Sequence, residues 1–157
     1  MRVVRKILKL IVIVLACAFV IAQLWRPART NPAIDPAQAS EAHLQMTPQV
    51  ASIVDRSCSD CHSNKTRWPW YTNVTPVSWF VVDHVNDGRR HLNFSEWGKL
   101  NQSQKEKKLQ EICEEVADGN MPLPTYTPLH PGSKLSPDDV KALCEWANAE
   151  RERIATR

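Results

Sequence analysis

Thr47-Pro48-Gln49-Val50-Ala51-Ser52-Ile53-Val54-Asp55-Arg56-Ser57-Cys58-Ser59-Asp60-Cys61-His62 runs from a helix start into a Cys-x-x-Cys-His box. Thr47 can cap a helix, Pro48 fits the first helical position, and Val50, Ile53 and Val54 recur at helical spacing. The helix therefore delivers two thiols and an imidazole at its end. Thiols two residues apart can each form a thioether to a haem vinyl group, and the next residue, His62, is then held under the iron as an axial ligand. A zinc site would need four nitrogen or sulfur ligands, and Cys113, Cys144, His84, His91 and His130 offer no second close-spaced pair. A redox dithiol would sit in an alternating strand and helix pattern, which is missing. The box predicts one covalently attached haem of the c type, with Cys58 and Cys61 as attachment points and His62 on the metal.

Upstream, Ile7 to Trp25 holds twelve Ile, Leu, Val or Phe, interrupted by Lys9 and Gln23. As a helix this run would span roughly 28 Å, which predicts a single transmembrane helix in residues 1–25. Arg2, Arg5, Lys6 and Lys9, with no acid among them, predict that the N-terminus stays in the cytoplasm and the rest crosses. Two other readings stay open: Val20-Ile21-Ala22 resembles a cleavage site, and Val14-Leu15-Ala16-Cys17 a lipid-modification box. The expected location is the outer, periplasmic side of the cytoplasmic membrane, in single-pass form.

Without those four positive charges the formal net charge of +3 becomes −1 for Arg26 to Arg157, so the basic excess belongs to the N-terminus. Nucleic acid is not an expected partner. Residues 26–45 are rich in Ala and contain Pro27, Pro32 and Pro36, which reads as a linker. Residues 46–157 then make one small haem-binding domain, for which a buried haem would supply part of the core.

The pattern after the linker is helical throughout, which predicts an all-α domain. A second helix is marked by Thr75 and Pro76, carries Val77, Phe80, Val81, His84 and Val85 on one face, and should stop at Gly88. A third opens with the capping box Ser103-Gln104-Lys105-Glu106, repeats Leu109, Ile112, Cys113, Val116 and Ala117, and ends at Gly119. The last starts at Ser136-Pro137-Asp138-Asp139 and aligns Val140, Leu143, Cys144 and Ala147. Between these two, Met121-Pro122-Leu123-Pro124-Thr125-Tyr126-Thr127-Pro128-Leu129-His130-Pro131-Gly132 is too rich in proline for a helix. Such a rigid loop can carry Met121 across a haem face, where a thioether opposite the imidazole gives an iron suited to electron transfer. Met121 as a core gap-filler and His91 or His84 as the distal group are the alternatives.

The box with Ser63-Asn64, then Trp68-Pro69-Trp70-Tyr71, Pro76-Val77-Ser78-Trp79, His91-Leu92-Asn93-Phe94-Ser95-Glu96-Trp97, Met121-Pro122-Leu123-Pro124 and Leu129-His130-Pro131 together resemble the haem-binding domain family. The resemblance covers nearly all of the exported part. It implies haem binding in small bacterial proteins, usually with an N-terminal membrane segment, and does not settle a reaction. The order of features also resembles class I cytochromes c, and so implies a cytochrome-c-like helical domain around one haem. Those cytochromes orient the proximal histidine through a proline carbonyl about a dozen residues on. Here the nearest prolines, Pro69 and Pro76, lie seven and fourteen residues away, which leaves the partner of His62 open.

Trp68, Trp70, Tyr71, Trp79, Phe80, Phe94 and Trp97 follow the box closely and are candidates for the haem sheath, although plain core packing would place them alike. Arg67, Arg89 and Arg90 are candidates to pair with haem propionates. Cys113 and Cys144 sit on apolar helix stripes, as a disulfide if the stripes face each other or otherwise as two small buried hydrophobes. The function these features predict is one-electron transfer with a redox protein partner, enzyme activity being the less expected outcome. A peroxidase-like haem enzyme and a haem-based redox or gas sensor are the competing readings.

Overall fold

The computed structural model describes residues 2–156, and every regular element among them is helical. The helices are α1 (Arg2–Ala22), α2 (Pro48–Ser57), the single turn α3 (Ser59–His62), α4 (Val77–His91), α5 (Gln102–Ala117) and α6 (Pro137–Ala155). Short 3-10 turns cover Ser40–Ala42, Trp70–Asn73, Phe94–Lys99 and Pro131–Ser133. The chain divides into two compact units, Met1–Thr30 with Trp68–His84, and Asn31–Arg67 with Val85–Arg157.

In the first unit α1 buries none of its residues. The expected transmembrane helix is corrected here: among the described residues no helix is long and apolar enough to cross a membrane. The physical reason is the charge at its start. Arg2, Arg5, Lys6 and Lys9 occupy the first turns, and the uncharged remainder Leu10 to Ala22 rises only about 20 Å against a hydrocarbon core of about 30 Å. Gln23 closes the helix and exchanges two hydrogen bonds with the backbone of Thr75, its amide donating to the carbonyl at 3.0 Å and its oxygen accepting from the N–H at 3.0 Å.

The second unit holds the core, formed by Leu44, Val50, Ile53, Val54, Phe94, Trp97, Leu109, Val116, Leu143, Trp146 and Ala147. Thr47 caps α2 by accepting from the Val50 N–H, and Val50, Ile53 and Val54 turn inward as their spacing requires. α5 starts earlier than Ser103 suggests. Asn101 is its cap and shares a reciprocal capping box with Gln104, so the three-residue spacing was right and its register two residues late. Gly119, at φ +73°, ends that segment in the left-handed conformation glycine tolerates. Ser136 and Asp139 form the capping box of α6. α5 and α6 pack together and are joined by the Cys113–Cys144 disulfide, with Cα atoms 4.6 Å apart. The apolar stripes therefore face each other, which decides between the two readings of these cysteines.

Residues 26–45 have an extended first part, but Ala39, Ser40 and Leu44 are buried. Backbone carbonyls of its second part are bound within the core unit. Gly98 N–H donates to the Gln38 carbonyl, Trp146 Nε1 to the Gln45 carbonyl, and Arg153 to the His43 carbonyl.

Candidate haem site

α2 carries the chain to Cys58, whose carbonyl accepts from the N–H groups of Cys61 (3.2 Å) and His62 (2.9 Å) and so closes the turn α3. Helical spacing places residues three and four apart on one face, and here those residues are Cys58, Cys61 and His62. Both thiols are free. Burial pushes Cys58 up to about 12, with the neighbouring Cys61 adding to the shift, and burial pushes Cys61 up to about 11, with Asp60 adding. Burial thus favours the protonated thiols, and among the described residues no three His, Cys, Asp or Glu side chains gather to hold an ion.

The imidazole of His62 is oriented by two backbone carbonyls. Nδ1 lies 2.9 Å from the Gly88 carbonyl oxygen and 3.1 Å from that of Leu92. Two acceptors at Nδ1 require the proton there, which leaves the lone pair on Nε2. Burial pulls the His62 pKa below the usual histidine value and outweighs the two carbonyl contacts, which raise it. A neutral imidazole with its Nδ1–H held by carbonyls is the form in which histidine ligates a metal.

This arrangement explains why α4 does not stop at Gly88. A Cβ at that position would stand 2.7 Å from the Cys61 carbonyl oxygen, so glycine is the residue that lets α4 approach the box. The helix continues through Arg89 and Arg90 to His91, and both carbonyls that hold His62 come from its last turn and the residue after it. His91 stands on the chain between these two acceptors, and it is exposed.

The residues after the box are pinned as well. Ser63 Oγ donates to the Ser59 carbonyl, Asn64 N–H to Ser95 Oγ, and Asn93 to Asn64 Oδ1. Arg89 donates to the Ser63 carbonyl (2.8 Å), Thr66 Oγ1 (2.8 Å) and Asn31 Oδ1 (2.9 Å). Arg90 pairs with Asp87. Arg67 pairs with Asp60 at 3.0 Å and Asp55 at 3.2 Å, and it also donates to the Asp55 backbone carbonyl at 2.7 Å.

Two residues that sequence reasoning passed over belong to this site. Asp60, inside the box, accepts from the backbone and side chain of Arg67 through Oδ1 and from the Tyr126 hydroxyl through Oδ2 at 2.8 Å. Tyr126 lies in the proline loop, so this bond ties the loop to the box. Burial raises the Tyr126 pKa well above the phenol range, and the bond to Asp60 raises it further. Tyr126 also stacks on His130, with ring centroids 3.9 Å apart. A Tyr five residues past Met121 was the available signal, and it carried no period that would mark it.

Met121 begins that loop, its N–H donating to the Glu115 carbonyl at the end of α5. Its side chain packs against the same apolar cluster as that of Cys58. Phe94 and Trp97 are buried in this cluster and stack at 6.3 Å, while Trp97 Nε1, fully buried, has no hydrogen-bond partner among the described residues. Trp68, Trp70, Tyr71, Trp79, Phe80 and His84 fall in the first unit. There Trp70 is 77% exposed and His84 hydrogen-bonds the Phe80 carbonyl.

The residues fit a haem: two free thiols and a neutral imidazole lie at the end of one helical turn, and the imidazole is hydrogen-bonded through Nδ1. No curated protein and no solved structure matches the chain. The model of the haem-binding domain family matches residues 17–149, a span that takes in the box, the α4 turn supporting His62 and the proline loop, and the chain belongs to that family.

Proposed function

We propose that the chain carries one haem bound covalently through Cys58 and Cys61, ligated by His62 and Met121, and that it passes single electrons to and from a redox protein partner. The observation that carries the reading is the pair of carbonyls on His62 Nδ1, which leave Nε2 available for a metal at the end of the turn that holds both thiols. Attachment is a redox-neutral addition: each S–H adds across a vinyl C=C, the sulfur bonding one carbon and the hydrogen the other. When bound, the haem supplies a one-electron couple. The protein supplies a fixed imidazole, a thioether from the proline loop and an apolar wall that includes Phe94 and Trp97.

Met121 is favoured over His91 as the sixth ligand for two reasons. It packs in the cluster that Cys58 also joins, whereas His91 is exposed and lies on the chain between the two residues whose carbonyls take the Nδ1 side of His62. The tie between Tyr126 and Asp60 holds the loop against the box, which suits a ligand that must not swing away on each change of iron charge.

The Cys113–Cys144 disulfide supports a location in an oxidising compartment outside the cytoplasm, where c-type attachment also takes place. Acid and organic solvent, followed by a haem stain of the denatured chain, test the attachment. Stain should stay with the wild-type chain and vanish from the Cys58→Ala/Cys61→Ala variant. Haem that leaves with the solvent would refute covalent binding.

A further inference from the structure

The first unit presents apolar and aromatic surface that the haem reading does not use. α1 exposes its apolar side chains along its length, and at its C-terminal end Trp25 is 70% exposed. Beside that end lie exposed Trp70, Val77, Trp79 and Phe80, the last at 53%. The placement is fixed by bonds within the unit: Gln23 with the Thr75 backbone, Trp79 Nε1 to the Trp25 carbonyl, and Arg29 to Thr72 Oγ1. Sequence segments about fifty residues apart thus make one aromatic collar around the end of an apolar helix.

We infer that this collar, formed by Trp25, Trp70, Trp79 and Phe80, docks on an anionic phospholipid surface at headgroup level, together with the exposed apolar side chains of α1. Three observations choose this occupant. The collar continues the exposed apolar surface of α1, so one apolar phase covers both. The unit carries Arg2, Arg5, Lys6, Lys9, Arg26 and Arg29 against the single acid Asp83, which complements anionic lipid. Tryptophan, with an apolar body and a polar N–H, is the side chain that collects at the membrane interface. The collar also supplies contact that α1 lacks, since its uncharged stretch falls short of the hydrocarbon thickness.

The test uses the full-length protein on vesicles of phosphatidylcholine and phosphatidylglycerol. Benzoylphenylalanine is placed singly at Trp70, Phe80, Ile13 and, in the second unit, Lys141. On irradiation, positions 13, 70 and 80 should form phospholipid adducts and position 141 should not. These positions are exposed, so the replacements leave the fold intact, which an unchanged far-ultraviolet spectrum confirms. Adducts at position 13 without adducts at 70 and 80 would overturn the inference. So would equal labelling at 141, no adduct anywhere, or capture of a protein in place of lipid at 70 and 80 from native membranes. The outcome is independent of the haem chemistry, because none of the four positions touches the box and the readout is lipid mass.

Discussion

Gly88 ties the whole site together at the residue scale. Its missing Cβ admits the Cys61 carbonyl, and its own carbonyl accepts a hydrogen bond from His62 Nδ1–H, so one position sets both the thiol turn and the imidazole. Gly88→Ala should push α4 off the box, cost about 1–3 kcal/mol as other overpacked sites do, and change the iron spectrum, which thermal melts and visible absorption would register. A melt and spectrum like wild type would show that the close approach is unimportant. Met121 is tested the same way. Met121→Ala should turn the iron high-spin, lower its potential and admit cyanide, while Met121→His should stay low-spin at a lower potential. If Met121→Ala keeps the native spectrum and His91→Ala changes it, the ligand assignment passes to His91. The box can be read from sequence because the chemistry proposed for it depends on spacing along the chain. The partner of His62 cannot, because a backbone carbonyl has no side-chain signature, and Gly88 carries the same letter whether it ends a helix or admits a neighbour.

At the scale of elements, the proline loop depends on a bond that no pattern announced. Asp60 receives the Tyr126 hydroxyl and Arg67 together, joining the box, the loop and the chain beyond His62. Tyr126→Phe removes a hydrogen bond to a carboxylate, which costs about 1.5–3 kcal/mol, and it should raise the cyanide on-rate by freeing the loop. An unchanged on-rate would mean that the loop is held by its prolines alone. The α5–α6 pair is closed by Cys113 and Cys144, 31 residues apart, so Cys113→Ser with Cys144→Ser should cost about 2–4 kcal/mol and leave haem attachment intact. Asp139, at the start of α6, is held below the usual carboxylate range by the Ser136 backbone N–H first and by Arg56 as well. A lowered folded pKa stabilises above the unfolded value near 4 and loses that contribution as pH falls through the folded value, so Asp139→Asn should flatten the acid limb of a stability profile. The helix starts were mostly readable, because caps are local. The α5 start was misread because Ser103 and Asn101 both suit a cap, and only the backbone bonds choose between them.

On the scale of the whole molecule, the aromatic residues after the box divide between two structural roles that composition cannot separate. Phe94 and Trp97 enter the core that Cys58 joins, whereas Trp70, Trp79 and Phe80 are exposed beside the end of α1. Sequence proximity to the box suggested one sheath, and the fold assigns these aromatics to separate units. The N-terminal run was read as a span from its apolar count, but the charges at Arg5, Lys6 and Lys9 shorten what the helix can bury. The central claim is that a single haem is bonded to this chain through the box. Its most direct test is the intact mass of the acid-denatured protein, produced in a cell that attaches c-type haem. The account predicts the chain mass increased by one haem, with the increase confined to the peptide containing Cys58 and Cys61. The mass of the bare chain, from a preparation that was coloured before denaturation, would contradict it.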